Sequence, residues 1–383
     1  MPIPSDLNLV LNQEAKARAA SGADIINATI GMFFDDDGKL PIAPLFQKAN
    51  YLKEPYFQYA SIAGDPKFLG GIADWFFEKE AGRISNLRSI STPGGTGAVH
   101  LAIREATLDG FTFILPEVSW PNYFGILDLH GGNRVSVNNF RDDHMDIEAM
   151  EIAFHSAEKA CLLINDPCHN PTGYTMNEEE WGRVVSLLNS KPEGAALILD
   201  LAYMNFSDSS ARKRIVGAIS SIDKRIPVYL CFSFSKTFSA YGLRLGALSY
   251  LNVGEEKEKR MKQAARATWS NCNTMGMKLI GEAFDDPALK QTLRDWIEEK
   301  SKKNAVRASI FMGEAREVGL CTLPYHEGFF CAVKVKDAFA SCMKLKEKDI
   351  FVVPASDTLL RIALCGIPTS KVVGLAKAIK EAE

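Results

Sequence analysis

Ser233-Phe234-Ser235-Lys236-Thr237-Phe238-Ser239-Ala240-Tyr241-Gly242-Leu243-Arg244-Leu245-Gly246 follows directly on the apolar run Val228 to Phe232. A lysine just past a strand end, set among small hydroxyl residues and eight positions ahead of an arginine, joins an amine that attacks carbonyls to groups that hold a phosphate. That combination suits a Schiff-base lysine with its own cofactor anchor. It equally suits a surface loop in which Lys236 and Arg244 are solvated, so the neighbouring stretches must decide.

Outward from this stretch, short β-rich runs alternate with longer helical ones. Thr112 to Leu115, Arg134 to Val137, Ala160 to Asn165, Ala195 to Asp200 and Val228 to Phe232 are the strands, and the alternation implies a mainly parallel α/β sheet with helices on its faces. Residues 8 to 20 read as a helix and residues 23 to 31 as a strand-like run ending near Gly31. Residues 256 to 300 read as helical and charged, crossing from a large domain to a smaller one. Strand-like runs at Phe329 to Val335 and Leu359 to Leu364 precede a last helix, Lys371 to Glu383. The resulting division is an N-terminal segment (1–45) that joins the small domain, a large domain (46–290) and a C-terminal small domain (291–383).

The 383 residues, with 46% hydrophobic and 24% charged side chains and a formal net charge of −3, describe a soluble globular chain with a large core. The absence of a Lys/Arg excess argues against nucleic acid as a partner. No stretch is long and apolar enough to span a bilayer and the first twenty residues have no apolar signal core, so a cytoplasmic protein with no membrane partner is expected. Eight cysteines without a Cys-x-x-Cys pair read as small buried hydrophobes. Asp35-Asp36-Asp37-Gly38 lacks the ligand spacing of a calcium loop and reads as a solvated turn.

In open α/β sheets, ligands bind beyond the carboxyl ends of the strands, and the polar residues fall there. Pro93-Gly94-Gly95-Thr96-Gly97-Ala98 sits between a strand and a helix, where glycines let backbone N–H groups approach a phosphate, or simply make a turn. Trp120 follows the next strand and offers either a flat face for a cofactor ring or core packing. Asn170, in the loop Asn165 to Gly173, can aim an amide at a carboxylate or phenolate. Cys168-His169 invites a metal reading, which lacks further ligands at zinc-like spacing. Asp200 at the end of an apolar run needs a cationic partner or a capping role, and Tyr203 lies three residues on.

Together and in this order, these motifs resemble the class I aminotransferases of the aspartate/aromatic type, which have the pyridoxal-phosphate-dependent transferase fold type I. The resemblance covers nearly the full length. It implies a homodimer that uses pyridoxal 5'-phosphate, no metal, and a large domain with a seven-stranded-type sheet beside a smaller α/β domain built from both chain ends. Lys236 resembles the Schiff-base lysine, Asp200 the partner of the ring nitrogen and Tyr203 that of the ring oxygen. Gly95, Thr96, Ser233 and Arg244 resemble the phosphate ligands, Trp120 the ring-stacking aromatic, and Tyr59 the tyrosine that reaches the neighbouring subunit's phosphate. Gly31, Asn170 and Arg361 resemble the substrate-side residues, Asn170 lying near the cofactor's ring oxygen as well as the substrate carboxylate and Arg361 clamping the α-carboxylate. Arg266, in Arg266-Ala267-Thr268-Trp269-Ser270-Asn271, resembles the arginine that binds a distal carboxylate across the dimer interface, or else forms a structural salt bridge. Two departures stand out. Gly94 replaces a common serine, and Cys272-Asn273 replaces two prolines.

The resemblance implies ping-pong transfer of an amino group from aspartate, glutamate or an aromatic amino acid to a 2-oxo acid, with 2-oxoglutarate as the expected acceptor. A β-lyase on the same scaffold and a non-enzymatic pyridoxal-phosphate sensor are the alternatives.

Overall fold

The computed structural model describes residues 7–47 and 54–383. Arg88–Thr92 (β1), Thr112–Pro116 (β2), Arg134–Val137 (β3), Ala160–Asn165 (β4), Ala195–Asp200 (β5), Val228–Ser233 (β6) and Gly246–Leu251 (β7) form one seven-stranded sheet in the order β1-β7-β6-β5-β4-β2-β3. Every residue of β4 to β7 is buried, which is why these runs are apolar throughout instead of alternating. Strands β2 to β6 pair in parallel, whereas β7 runs antiparallel to both β6 and β1. Strand β7 escapes a reading of the sequence in which the lysine stretch is an open-ended loop. Only twelve residues separate β6 from β7, too few for the helical crossover that a parallel return usually takes, so the chain turns back on itself.

The smaller body holds a three-stranded antiparallel sheet of Phe330–Lys334 (β8), Val353–Ser356 (β9) and Leu359–Ala363 (β10), in the order β8-β10-β9. Both chain ends build it. Leu7–Ala20 (α1) buries Leu11 and Ala15 in the same core as Phe351, Leu360 and Ile379, and Ile26–Asn27 pairs in parallel with Ile350–Phe351.

Three helices stand where one charged helical stretch was expected, and the last of them, Pro287–Glu317, makes the crossing. It starts cleanly, with Asp286 accepting from the Ala288 and Leu289 amides and proline in the first turn. Its first half buries Leu293 and Ile297 in the large core, and its second half buries Ala308, Phe311 and Ala315 in the small one. The C-terminal helix, expected to be continuous, is interrupted at Gly374, whose φ of +84° ends one turn and starts Leu375–Ala382.

The aspartate turn is not merely solvated. Asp36 Oδ1 accepts from Arg307 Nη2 at 3.1 Å and from the Thr369 amide and hydroxyl at 2.9 Å each, and Asp35 accepts from Lys303 at 2.7 Å. Arg307 is fully buried, and a charge so placed must be paired. The Thr369 amide leads in holding the Asp36 carboxyl down at about 2. Among the described residues no helix is long and apolar enough to cross a membrane.

Candidate active site

Strands β4 and β5 end level with one another, Asn165 opposite Asp200, so their last polar side chains meet at one edge of the sheet. Beyond that edge lies a cavity of about 300 Å³. Gly31, Gly95, Thr96, Trp120, Asn170, Asp200, Tyr203, Ser233, Lys236, Arg244 and Arg361, drawn from residues 330 positions apart in the chain, all line it. Arg361 comes from the middle of β10 and reaches across from the smaller body.

Lys236 sits in a single helical turn, Phe234–Thr237, directly after β6. Its Nζ donates to the Gly31 carbonyl at 3.0 Å and lies 4.9 Å from the centre of the Tyr241 ring. Burial disfavours its charged form, with the Arg361 and Arg244 guanidinium groups adding repulsion, and the amine's pKa falls to about 8. An appreciable neutral fraction near neutrality makes this lysine a nucleophile.

Asp200 has the opposite problem. Burial pushes its carboxyl up to about 6, against the pull of a hydrogen bond from Tyr123. The Tyr123 hydroxyl donates to Oδ2 at 2.7 Å and the Ala202 amide to Oδ1 at 3.0 Å. Neither bond caps an α-helix; the next one, Ser209–Ser221, takes Asp208 as its cap. Asp200 therefore presents a buried carboxylate that favours a cationic neighbour. The Tyr203 phenol is raised well above its usual range by burial and by Asp200, and so stays a hydrogen-bond donor.

Two glycines shape the phosphate-sized end. A Cβ at Gly94 would meet Arg244 Nη2 at 2.6 Å, and one at Gly95 would meet the Ser233 Cβ at 2.9 Å. Gly94 also has φ of +75°, a left-handed conformation that serine would strain. The departure from serine thus fits a closer approach of Arg244, whose Nη1 lies 3.1 Å from Ser235 Oγ. Gly94–Leu108 begins here, directing free amides of its first turn toward this end.

Two buried polar atoms at the cavity lack partners. Asn170 Oδ1 and Arg361 Nε are both unpaired, although Arg361 Nη2 donates to the Thr29 carbonyl at 2.7 Å and the guanidinium lies 4.7 Å from the centre of the Phe330 ring. Orphaned groups of this kind, beside a cradle that any Cβ would fill, fit a small phosphorylated heterocycle and a carboxylate.

Tyr59 and Arg266 do not line this cavity. Tyr59 is 91% exposed, and Arg266 is exposed in the last turn of Glu255–Thr268. The Asn271 side chain ties their segments together, accepting from the Ala60 amide at 3.2 Å and donating to its carbonyl at 2.8 Å. Arg266 makes no ion pair among the described residues. Where prolines were expected, Asn273 caps Thr274–Asp285 by accepting from the Gly276 amide at 2.8 Å, and donates to the Leu243 carbonyl at 2.9 Å. Cys168 and His169 are buried, and no three His, Cys, Asp or Glu side chains among the described residues are placed to share a metal ion.

Residues 23–379 match the family model of aminotransferase class I and II. The chain belongs to that family. Among relatives, the aromatic-amino-acid aminotransferase of Paracoccus denitrificans is 27% identical over an alignment of 412 positions covering 99% of this chain and 98% of its own. An aminotransferase from Anaerococcus prevotii superimposes with a TM-score of 0.90 at 28% identity, over 99% of this chain and 96% of that one. The aromatic-amino-acid aminotransferase of Burkholderia pseudomallei, solved covalently bound to pyridoxal phosphate, shares the fold with a TM-score of 0.83 at 22% identity, over 100% of this chain and 98% of that one.

For this aminotransferase, sequence reasoning missed three residues at the site. Tyr123 reads in sequence only as a neighbour of Trp120, and its bond to Asp200 depends on the packing of Asn122–His130 against the sheet. Asn165 accepts from the Asn170 amide at 2.8 Å and donates to the Asp200 carbonyl at 3.0 Å. It was detectable in principle, as the polar end of a buried strand. Phe330 reads as strand core, and nothing in sequence signals that its ring lies beneath Arg361.

Proposed function

We propose that this aminotransferase moves the amino group of an L-amino acid, from the aspartate, glutamate and aromatic set, to 2-oxoglutarate, with pyridoxal 5'-phosphate held in the cavity at Lys236. The observation that carries this reading is the convergence in one 300 Å³ cavity of an amine poised near pH 8, a buried carboxylate and a half-buried guanidinium whose Nε is buried and unpaired. The bound cofactor supplies an aldehyde for the lysine and an electron-withdrawing ring for the Cα carbanion.

In this reading Gly95, Thr96, Ser233 and Arg244 hold the phosphate, Trp120 covers one ring face, and Asn170 and Tyr203 serve the ring oxygen. Asp200 keeps a proton on the ring nitrogen. Arg361 fixes the substrate α-carboxylate by paired hydrogen bonds, which turns the Cα–H bond toward Lys236, and Gly31 lets the substrate lie close to the backbone. The released Lys236 amine is the base that takes the proton from the substrate Cα. The chain ends and residues 291–383 form a small domain on the large domain of residues 46–290, and two copies assemble with Tyr59 and Arg266 of each reaching the other's cavity. Their exposure, the Asn271 link between their segments and their absence from their own cavity support that arrangement. A cytoplasmic location completes the reading.

The test is spectral. Protein reconstituted with pyridoxal phosphate should lose its visible band on addition of an amino donor and recover it on addition of 2-oxoglutarate. Steady release of ammonia and a 2-oxo acid from the donor without any acceptor would replace this reading with a lyase.

Arg266→Leu should depress kcat/KM for aspartate and glutamate by about 100-fold, the worth of a charge-assisted bidentate pair, and leave phenylalanine and tyrosine within a few-fold. Equal losses on both classes would remove Arg266 from the distal-carboxylate site. Tyr123→Phe strips one hydrogen bond from Asp200 Oδ2, so the carboxyl should titrate higher and the acid limb of the kcat profile should move up by about one pH unit. An unmoved acid limb would mean that Tyr123 does not tune Asp200.

A further inference from the structure

Tyr241 belongs to the stretch that decides the fold, yet the functional reading above gives it no task. It lies on the short turn Tyr241–Leu243 after the lysine and lines the cavity. Its hydroxyl accepts from the Phe33 amide at 2.8 Å, two residues beyond Gly31. The Lys236 Nζ, bonded to the Gly31 carbonyl at 3.0 Å, lies 4.9 Å from the centre of the Tyr241 ring. These contacts close a small circuit: lysine to Gly31, Gly31 through Met32 to Phe33, Phe33 to the tyrosine hydroxyl, and the tyrosine ring back to the lysine.

We propose that Tyr241 is a positioning residue which, together with the Gly31 carbonyl, forms the receiving place for the Lys236 amine when substrate displaces it from the cofactor. The inference rests on Lys236 being the cofactor lysine. A carbonyl oxygen and an aromatic face both favour an ammonium over a neutral amine. The lysine becomes an ammonium at the moment it takes the Cα proton, so both groups stabilise the form that the proton transfer creates. The hydroxyl bond to Phe33 holds the Gly31 segment beside the lysine turn whether or not the lysine is engaged. Without it the carbonyl would be free to drift when the amine leaves. The other charged or titratable groups that face this amine are Asp200, Tyr203, Arg244, Arg361 and Cys365; Asp200 favours its charge and the two arginines oppose it.

The experiment uses the full-length apoprotein and holoprotein of wild type, Tyr241→Phe and Tyr241→Leu. In the apoprotein, the pH dependence of acetic anhydride labelling of Lys236, read by peptide mass, gives the amine's titration midpoint. In the holoprotein, stopped-flow absorbance gives the rate of the amino-donor half-reaction. Tyr241→Leu should lower the midpoint by about 0.5–1 pH unit and slow the half-reaction about 10-fold, the size of a desolvated cation–π contact. Tyr241→Phe keeps the ring and loses only the bond to Phe33, so its midpoint should match wild type while the donor KM rises several-fold. An unchanged midpoint in Tyr241→Leu, or an equal fall in Tyr241→Phe, overturns the role of the ring. Should the leucine variant not fold, an unchanged donor KM in Tyr241→Phe overturns the proposal alone. Borohydride reduction of the holoprotein separates the two readings: cofactor trapped on a different lysine defeats the functional assignment, whereas trapping on Lys236 with wild-type behaviour in both variants defeats only this inference.

Discussion

Lys236→Ala is expected to lower transamination by at least about 10⁴-fold, because it removes a covalent anchor and a general base together. The structure explains why no neighbour can substitute. Lys236 is the lysine that lines the cavity, and its approach is fixed by the turn Phe234–Thr237, whose Phe234 and Thr237 are buried on either side. Burial brings its pKa down to about 8 from an ordinary value near 10.5. A depressed lysine is charged below that point and neutral above it, so the rate at which wild-type apoprotein captures pyridoxal phosphate should climb as pH rises through about 8 and then level off. The alanine variant should show no such pH-dependent capture and no reducible linkage to the chain, while its far-ultraviolet circular dichroism stays that of the wild type. Methylamine added to the variant should restore a small part of the proton transfer. A variant that still reacts with borohydride to give a chain-linked cofactor would move the chemistry to another lysine.

Most of the large sheet was legible because buried parallel strands are written as continuous apolar runs. Ala160–Asn165, Ala195–Asp200 and Val228–Ser233 each announce themselves that way, and each ends on a polar residue that has no reason to follow such a run unless a site is there. Local pattern therefore singled out Asp200 and Lys236 as candidates, while their roles came from the order of all the motifs together. Gly246–Leu251 was hidden because its direction depends on the length of the preceding turn and not on its own composition. Tyr123 and Phe330 were hidden for a different reason. Each is an aromatic residue in an ordinary core pattern, and only the tertiary packing sets one hydroxyl 2.7 Å from a carboxylate and the other ring beneath a guanidinium. The aspartate turn is opaque in the same way, since its partners Arg307 and Thr369 lie more than 270 residues away in sequence.

Asp200→Asn is expected to cost about 10³-fold in activity and, at the same time, to make the apoprotein more stable. The activity loss follows from the lost charge, because an amide cannot hold a proton on the ring nitrogen against the electron demand of the reaction. The gain in stability follows from the direction in which the fold moves the Asp200 carboxyl. It titrates at about 6 in the fold, above an ordinary value of 3.8, because burial penalises the ionised form more than Tyr123 and Ala202 compensate it. For an acid raised in this way the associated stability is present below the unfolded value and is lost as pH rises through about 6. A carboxyl held that far above its ordinary value forgoes on the order of 3 kcal/mol in the empty wild-type protein at pH 8 and regains it near pH 4. Asparagine removes that penalty without leaving a void: its oxygen can still take the Ala202 amide, and its NH2 can donate to a Tyr123 hydroxyl that turns to accept. Urea unfolding of the two apoproteins should therefore show the variant ahead at pH 8 and the difference shrinking toward pH 4, with cofactor affinity moving the opposite way. A variant less stable than wild type at pH 8 would mean that the carboxylate supports the fold through its hydrogen bonds. The buried charge would then no longer be a strain that only a cationic ligand relieves.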